Sequence, residues 1–232
     1  MATMYRDPLV PAPAGPYIVA LTSAPPALLL PGHHPIWTDA EAIGWGPEPY
    51  RTTFRAVWNA GGIAIRFDAC DRDPWHTMRR HKDPIAREEV VEIFLDPARS
   101  GRNYAEIEVS PFNIVTDLRV VEPWPNLTGD RDWSWTGLES TVVPGACGGL
   151  QADSWIAVVW LPWEGLRTLS ADATERVPPR AGDRWRFNVF RIKRPHGPTE
   201  PERDAVYAAW SVPSGPSFHD PAAFRELVFA QN

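Results

Sequence analysis

The chain has 232 residues, with 26 prolines, 16 glycines and 12 tryptophans, a length that suits one large all-β unit able to bury roughly 70% of its unfolded surface. A formal net charge of -6 argues against a nucleic-acid surface, which carries a basic stripe, and the short run Arg79-Arg80-His81-Lys82 is closed at once by Asp83 and reads as a solvated loop. No apolar stretch reaches the roughly 18 residues that a membrane span needs.

Residues 1–16 form a Pro-rich lead, and residues 17–232 read as one β-sandwich with no internal repeat and no second domain. The apolar segment 18–30 is cut by Pro25 and Pro26 and has no positively charged lead, because Arg6 is followed by Asp7. It is a poor signal peptide, so no export signal is visible and a cytoplasmic location is expected. Strands are expected near 17–21, 52–58, 63–68, 90–96, 104–110, 113–118, 137–143, 155–161, 185–192, 206–211 and 226–229, separated by Pro- and Gly-containing loops. This order predicts antiparallel sheets packed face to face. Asp220-Pro221 can start a short helix, with Asp as cap and Pro at the first position. The longest irregular stretches, 69–88, 119–136 and 193–205, are of a length often tied to function. Cys70 and Cys147 match no metal spacing. Two free thiols are the favoured reading, with one disulfide as the alternative.

The most informative stretch is 88–117. Between two strand-like runs lies a loop with Pro97, Ser100, Gly101 and Asn103. In the second run Tyr104, Glu106, Glu108 and Ser110 alternate with Ala105, Ile107 and Val109, and in the first Glu92 alternates with Val91 and Ile93. A period of two places the polar set on one face of a sheet and the apolar set on the other. Arg66 alternates with Ile65 and Phe67 and is expected on the same surface as Glu92. The cluster Asp68, Asp71, Asp73 could hold structural calcium through hard oxygen ligands. It lacks the glycine and bidentate acid of the common loop, and capping by Asp side chains is the competing reading.

V-V-E-I-F-L-D-P (90–97), Gly101 and Y-A-E-I-E-V-S-P-F (104–112) together resemble the signature of family 9 carbohydrate-binding modules and their DOMON-like relatives. Further pieces follow in the family's order: Ile36-Trp37, I-A-I-R-F-D-A-C-D (63–71), W-I-A-V-V-W-L-P (155–162), W-R-F-N-V-F-R (185–191), Trp210-Ser211, F-H-D-P-A-A-F (218–224) and L-V-F (227–229). The resemblance implies a jelly-roll-like antiparallel β-sandwich that binds a saccharide without catalysis and without a cofactor. It also implies a sugar held between two tryptophans over polar side chains of the sheet. Trp210 matches the second tryptophan and Glu92 an acidic contact. The first tryptophan's position is Ala86, and an expected basic contact is Glu108. Trp75, or a tryptophan of the 124–135 loop, is a substitute for the missing ring. Val158 stands where the family often has an acid, which reads as a change of packing.

A sugar has a flat apolar face for an aromatic ring and a hydroxyl rim for charged and polar groups. The expected ligand face therefore holds Glu92, Tyr104, Glu106, Glu108 and Arg66, with Trp210 as the ring. Two rivals share the same residues. A glycosidase needs two carboxylates about 5–10 Å apart, which Glu92 with Glu106 or Glu108 could supply. A module that kept the fold and lost the sugar site would bind a protein or another small molecule. A Ser–His–Asp site has no nucleophile elbow here. His219 in F-H-D-P reads as structural support, and neither His33-His34 nor His76 with His81 has a diagnostic zinc spacing.

Overall fold

Alternating apolar residues in Val90–Asp96 and Tyr104–Val109 build a hairpin, and its loop closes on Gly101 in a left-handed conformation (φ 72°), whose N–H donates to Asp96 Oδ2 at 2.7 Å. The structure, a computed structural model, describes residues 4–5, 15–145, 154–199, 201 and 204–230. Most of the Pro-rich lead and Cys147 lie outside the described residues. Among the described residues there are fourteen strands: β1 Met4–Tyr5, β2 Tyr17–Leu21, β3 Ile43–Trp45, β4 Thr52–Asn59, β5 Gly62–Cys70, β6 Val90–Asp96, β7 Tyr104–Val109, β8 Val115–Glu122, β9 Thr128–Asp130, β10 Glu139–Pro144, β11 Ser154–Pro162, β12 Arg184–Lys193, β13 Val206–Ala209 and β14 Arg225–Phe229.

The front sheet runs β9-β8-β7-β6-β12, and β12 pairs β14 through its first half and β13 through its second. The back sheet runs β10-β11-β5-β4, with β3 also on β4. β2 joins the two sheets: Tyr17–Val19 pair β14 of the front, and Ala20 and Leu21 pair β4 of the back. The two β2 pairings and that of β1 with β13 are parallel, whereas the sequence led us to expect antiparallel sheets throughout. None of these pairs is joined by a hairpin, so no tight turn fixes their direction. The strands β3 and β9 were not expected; both are three residues long, too short for an alternating pattern to show.

Three apolar layers result. Between the sheets lie Phe54, Ile65, Phe67, Ile93, Ile107, Val159, Trp185, Phe187 and their neighbours. The outer face of the back sheet is covered by residues 24–40, which bury Leu29 and Trp37 on Val57, Ala64 and Val158. The outer face of the front sheet is covered by Ile85, Phe218 and Phe224 over Val90, Phe94, Tyr104 and Phe190. With both faces covered, every residue of β6 and β7 is buried. Asp220 caps the expected short helix, observed as a 3-10 turn Pro221–Ala223, by accepting from Ala222 N.

Cys70 is disulfide-bonded, which corrects the expectation of two free thiols; the sequence has one other cysteine, Cys147. Thiol titration of the denatured, unreduced protein is expected to find no free thiol. Reduction is expected to lower stability by about 2–5 kcal/mol, the usual cost of removing a native bridge. One reactive thiol per chain would contradict this.

Candidate functional site

The outer face of the front sheet brings together four of the residues expected from sequence. Glu92 on β6 stands directly opposite Glu108 on β7, and Glu106 stands opposite Phe94, so it is diagonal to Glu92. Directly opposed Cβ atoms in such a ladder are about 4.5–5.5 Å apart. All three carboxyls are nearly closed to solvent, at 2%, 5% and 3% exposure for Glu92, Glu106 and Glu108. Their partners are few. Ala86 N donates to Glu108 Oε2 at 3.1 Å, Glu106 and Glu108 hydrogen-bond each other, and Glu106 Oε2 has no partner among the described residues.

Burial, and then mutual repulsion, push Glu92 and Glu106 well above the carboxylate range. Burial raises Glu108 to about 7, opposed by its bond from Glu106 and by the Ala86 N–H. All three groups thus keep their protons to higher pH than free carboxylates do. Glu106, protonated, is the donor to Glu108.

His219 closes this patch. Its Nδ1 is 2.9 Å from the Tyr104 hydroxyl, its Nε2 is 3.9 Å from Glu106 Oε2, and its ring stacks on Phe94 at 4.9 Å. Burial holds its pKa down to about 4, so the ring is neutral. Its backbone carbonyl accepts from Trp124 N at 3.2 Å. That bond anchors Trp124 beside the patch, with its ring against Gly215, where a Cβ would lie 3.5 Å away. Ten of the twelve tryptophans are buried and Trp75 is half-buried; Trp124 alone is exposed, at 47%. Leu127, three residues on, is 48% exposed.

Other expected site residues lie elsewhere. Trp210 is corrected from stacking ring to core residue: it packs on Phe187 (4.9 Å), Phe54 (5.5 Å) and Tyr17 (6.5 Å) between the sheets and is 4% exposed. A sugar cannot reach it. Arg66 is corrected from the face of Glu92 to the outer face of the back sheet, where its Nε donates to Asp68 Oδ2 at 3.1 Å and another nitrogen to Gly32 O. Alternation assigns a side of a strand but not which sheet holds the strand. Trp75 belongs to the end of the sandwich, its indole N–H donating to Arg194 O at 2.7 Å.

Nor do the three aspartates converge on a cation. Asp68 is taken by Arg55 and Arg66. Asp71 sits in a closed ion network, with Arg191 at 2.6 Å and Lys193 at 2.7 Å. Lys193 also reaches Glu89 Oε1 at 2.6 Å and donates to Asp73 O at 3.0 Å. Among the described residues no group of three or more His, Cys, Asp or Glu is placed to hold a metal, and no helix is long and apolar enough to cross a membrane.

Sequence reasoning gave Trp124 only as one of several substitutes and read His219 as support. The signal for Trp124 is its setting, Pro123-Trp124-Pro125 followed by Asn126, Thr128 and Gly129, a polar loop in which an indole has little to pack on.

The fold matches that of carbohydrate-binding proteins. A Bacteroides uniformis protein described as carbohydrate-binding superposes with TM-score 0.66 at 14% identity, over 93% of this chain and 99% of that one. A family 9 carbohydrate-binding module from Caldicellulosiruptor kristjanssonii, in complex with cellotriose, gives 0.62 at 13% identity over 93% of each chain. A glucose complex of such a module from the same organism gives 0.56 at 14% identity, over 93% of this chain and 96% of that one. No family model matches the sequence. A curated relative from Arthroderma benhamiae is 26% identical over 186 residues, 77% of this chain and 78% of that protein, and is named an extracellular protein. That name overturns the expected cytoplasmic location. The disulfide at Cys70 agrees with the correction, because such bonds persist in oxidising compartments.

Proposed function

We propose that the protein binds a saccharide without catalysis, outside the cell, with Trp124 as the stacking ring beside the patch of Tyr104, His219, Glu106 and Glu108. The observation that carries this reading is the exposure of Trp124 alone among twelve tryptophans, at a place fixed by a hydrogen bond to His219. An exposed indole with a rigid backbone offers an apolar face to a sugar ring at little cost in order. Asn126 and Thr128, exposed in the same loop, offer polar groups for the hydroxyl rim. The cellotriose and glucose complexes of proteins with this fold support a glycan as the ligand class. The trio of buried carboxyls supports binding over hydrolysis, since nearly closed, mutually bonded acids offer no path for an attacking water.

Titration with cellotriose and glucose, followed by tryptophan fluorescence, tests the reading. A saturable shift is expected, and Trp124→Ala should weaken affinity at least about tenfold, as loss of a central aromatic contact does. The variant should keep its stability within about 0.5 kcal/mol, as exposed positions do. An unchanged affinity would remove Trp124 from the site. Silence towards every sugar would leave a statement about fold alone, and turnover of a glycoside would replace binding by catalysis.

A further inference from the structure

We propose that an arginine-lined cleft at the β12–β14 side of the front sheet binds the carboxylate of an acidic sugar, so that the glycan ligand carries a uronate residue. This inference rests on the saccharide reading above and narrows its substrate class. The cleft measures about 450 Å³ and is lined by Arg99, Arg186, Arg225, Glu226, Pro16 and Ala222 among others, within the size range of small-molecule sites.

Its charge is unbalanced. Glu226 is the one acid lining it, and both its oxygens are taken: Arg99 reaches Oε1 at 2.8 Å, and Arg184, from the edge of β12, reaches Oε2 at 2.5 Å. Arg186 donates to the Phe224 carbonyl at 3.1 Å and Arg225 to Ser211 Oγ at 2.9 Å. Neither has a carboxylate at ion-pair distance among the described residues. Asp96, opposite Arg186 in the ladder, feels its charge, but it accepts its hydrogen bond from Gly101 N at 2.7 Å. Three guanidinium groups thus converge on one concavity in a chain whose formal net charge is -6.

A guanidinium fork matches the two oxygens of a carboxylate and is only weakly hydrated, so it gives up water readily for such a partner. The other walls suit a sugar ring. Pro16 and Ala222 are exposed apolar surface. A uronate presents carboxylate, hydroxyls and apolar ring face within one residue, which an inorganic anion does not.

Calorimetric titration of the full chain with digalacturonate, with its carboxyl-reduced neutral counterpart and with inorganic sulfate tests this. The uronate is expected to bind at least about tenfold more tightly than the reduced sugar, the size of one charge-assisted hydrogen bond. Arg225→Gln and Arg99→Gln should each remove most of that preference while leaving the neutral-sugar response at Trp124 unchanged. Arg225→Lys, which keeps the charge without the fork, should recover part of it. Equal binding of the two sugars, or full uronate affinity in both glutamine variants, would overturn the proposal. Sulfate binding as tight as the uronate would overturn it in favour of an inorganic-anion site. Arg-dependent uronate binding that survives together with a silent Trp124→Ala comparison would sink the Trp124 reading alone, so the two failures are distinguishable.

Discussion

Replacing Asp71 by asparagine is expected to lower the unfolding free energy by about 3–5 kcal/mol, the cost of leaving buried charges without their partner. Asp71 and Glu89 face Arg191 and Lys193 at the end of the sandwich, and all four side chains are at most 1% exposed. Arg191 also lies 4.8 Å from the centre of the Trp155 ring, and its Nε and Nη1 have no other partner among the described residues. Without Asp71, Arg191 would be a buried cation with no carboxylate hydrogen-bonded to it, left to the Trp155 ring face and the more distant charge of Glu89. Burial by itself would raise the Asp71 pKa, but Arg191 and Lys193 outweigh it and the group titrates below the usual range. A depressed carboxylate pKa contributes stability that is full above the unfolded value and is lost as pH falls through the folded one. The Asp71→Asn deficit should therefore shrink in strong acid. Urea unfolding at pH 7 measures it, with Asp73→Asn as control, since Asp73 meets the network through its backbone, its carbonyl accepting from Lys193 and its N–H donating to Asp71 Oδ1. Equal midpoints for the two variants would mean that the network contributes nothing beyond its geometry.

The second large effect runs the other way along the pH axis. Glu92 and Glu106 are held well above the ordinary value of 4.5, and Glu108 and Glu89 rise to about 7, each chiefly by burial. The folded state therefore binds more protons than the unfolded one from pH 4.5 upwards, and stability falls as pH rises through 7. His219, lowered by burial from 6.5 to about 4, acts oppositely below pH 6.5, but it is one group against these four and Asp96, which burial also raises. Stability is expected to be higher near pH 5 than at pH 8. Glu92→Gln combined with Glu106→Gln should raise stability at pH 8 by at least about 2 kcal/mol and flatten the slope, since each tenfold gain in proton affinity on folding is worth about 1.4 kcal/mol. Thermal unfolding at a series of pH values decides it: a wild-type protein more stable at pH 8 than at pH 5 would refute the account.

The face shared by Glu92, Tyr104, Glu106 and Glu108 was legible because alternation along two neighbouring strands needs no knowledge of the rest of the chain. Their burial was not, since much of the cover comes from residues 218–224, far away in sequence. Trp210 illustrates a different limit. Ala208 and Trp210 point into the core between the sheets, while Tyr207 and Ala209 point to the outer layer. With apolar packing on both sides, period two leaves no polar residue to mark the inside. Asp71 looked like a loop cap or a metal ligand because the cations it meets lie about 120 positions later. The positions of most strands and the short turn after Asp220 were readable from local chemistry. The partition of tryptophans between core and surface needed the packing itself.

The place of β2 in the sheets also bears on how the chain is completed. β2 is hydrogen-bonded to β14 along one half and to β4 along the other, so the seam between the sheets is built from residues near both ends of the described chain. During synthesis Tyr17–Leu21 leave the ribosome more than 200 residues before Phe229. Until then the seam has a vacant strand position, and the back sheet waits with an open edge beside β2. Closure of the seam is thus tied to the arrival of β14. The nascent protein depends for that interval on the β4–β5 and β6–β7 hairpins, which close early from local contacts, while long-range pairing comes last.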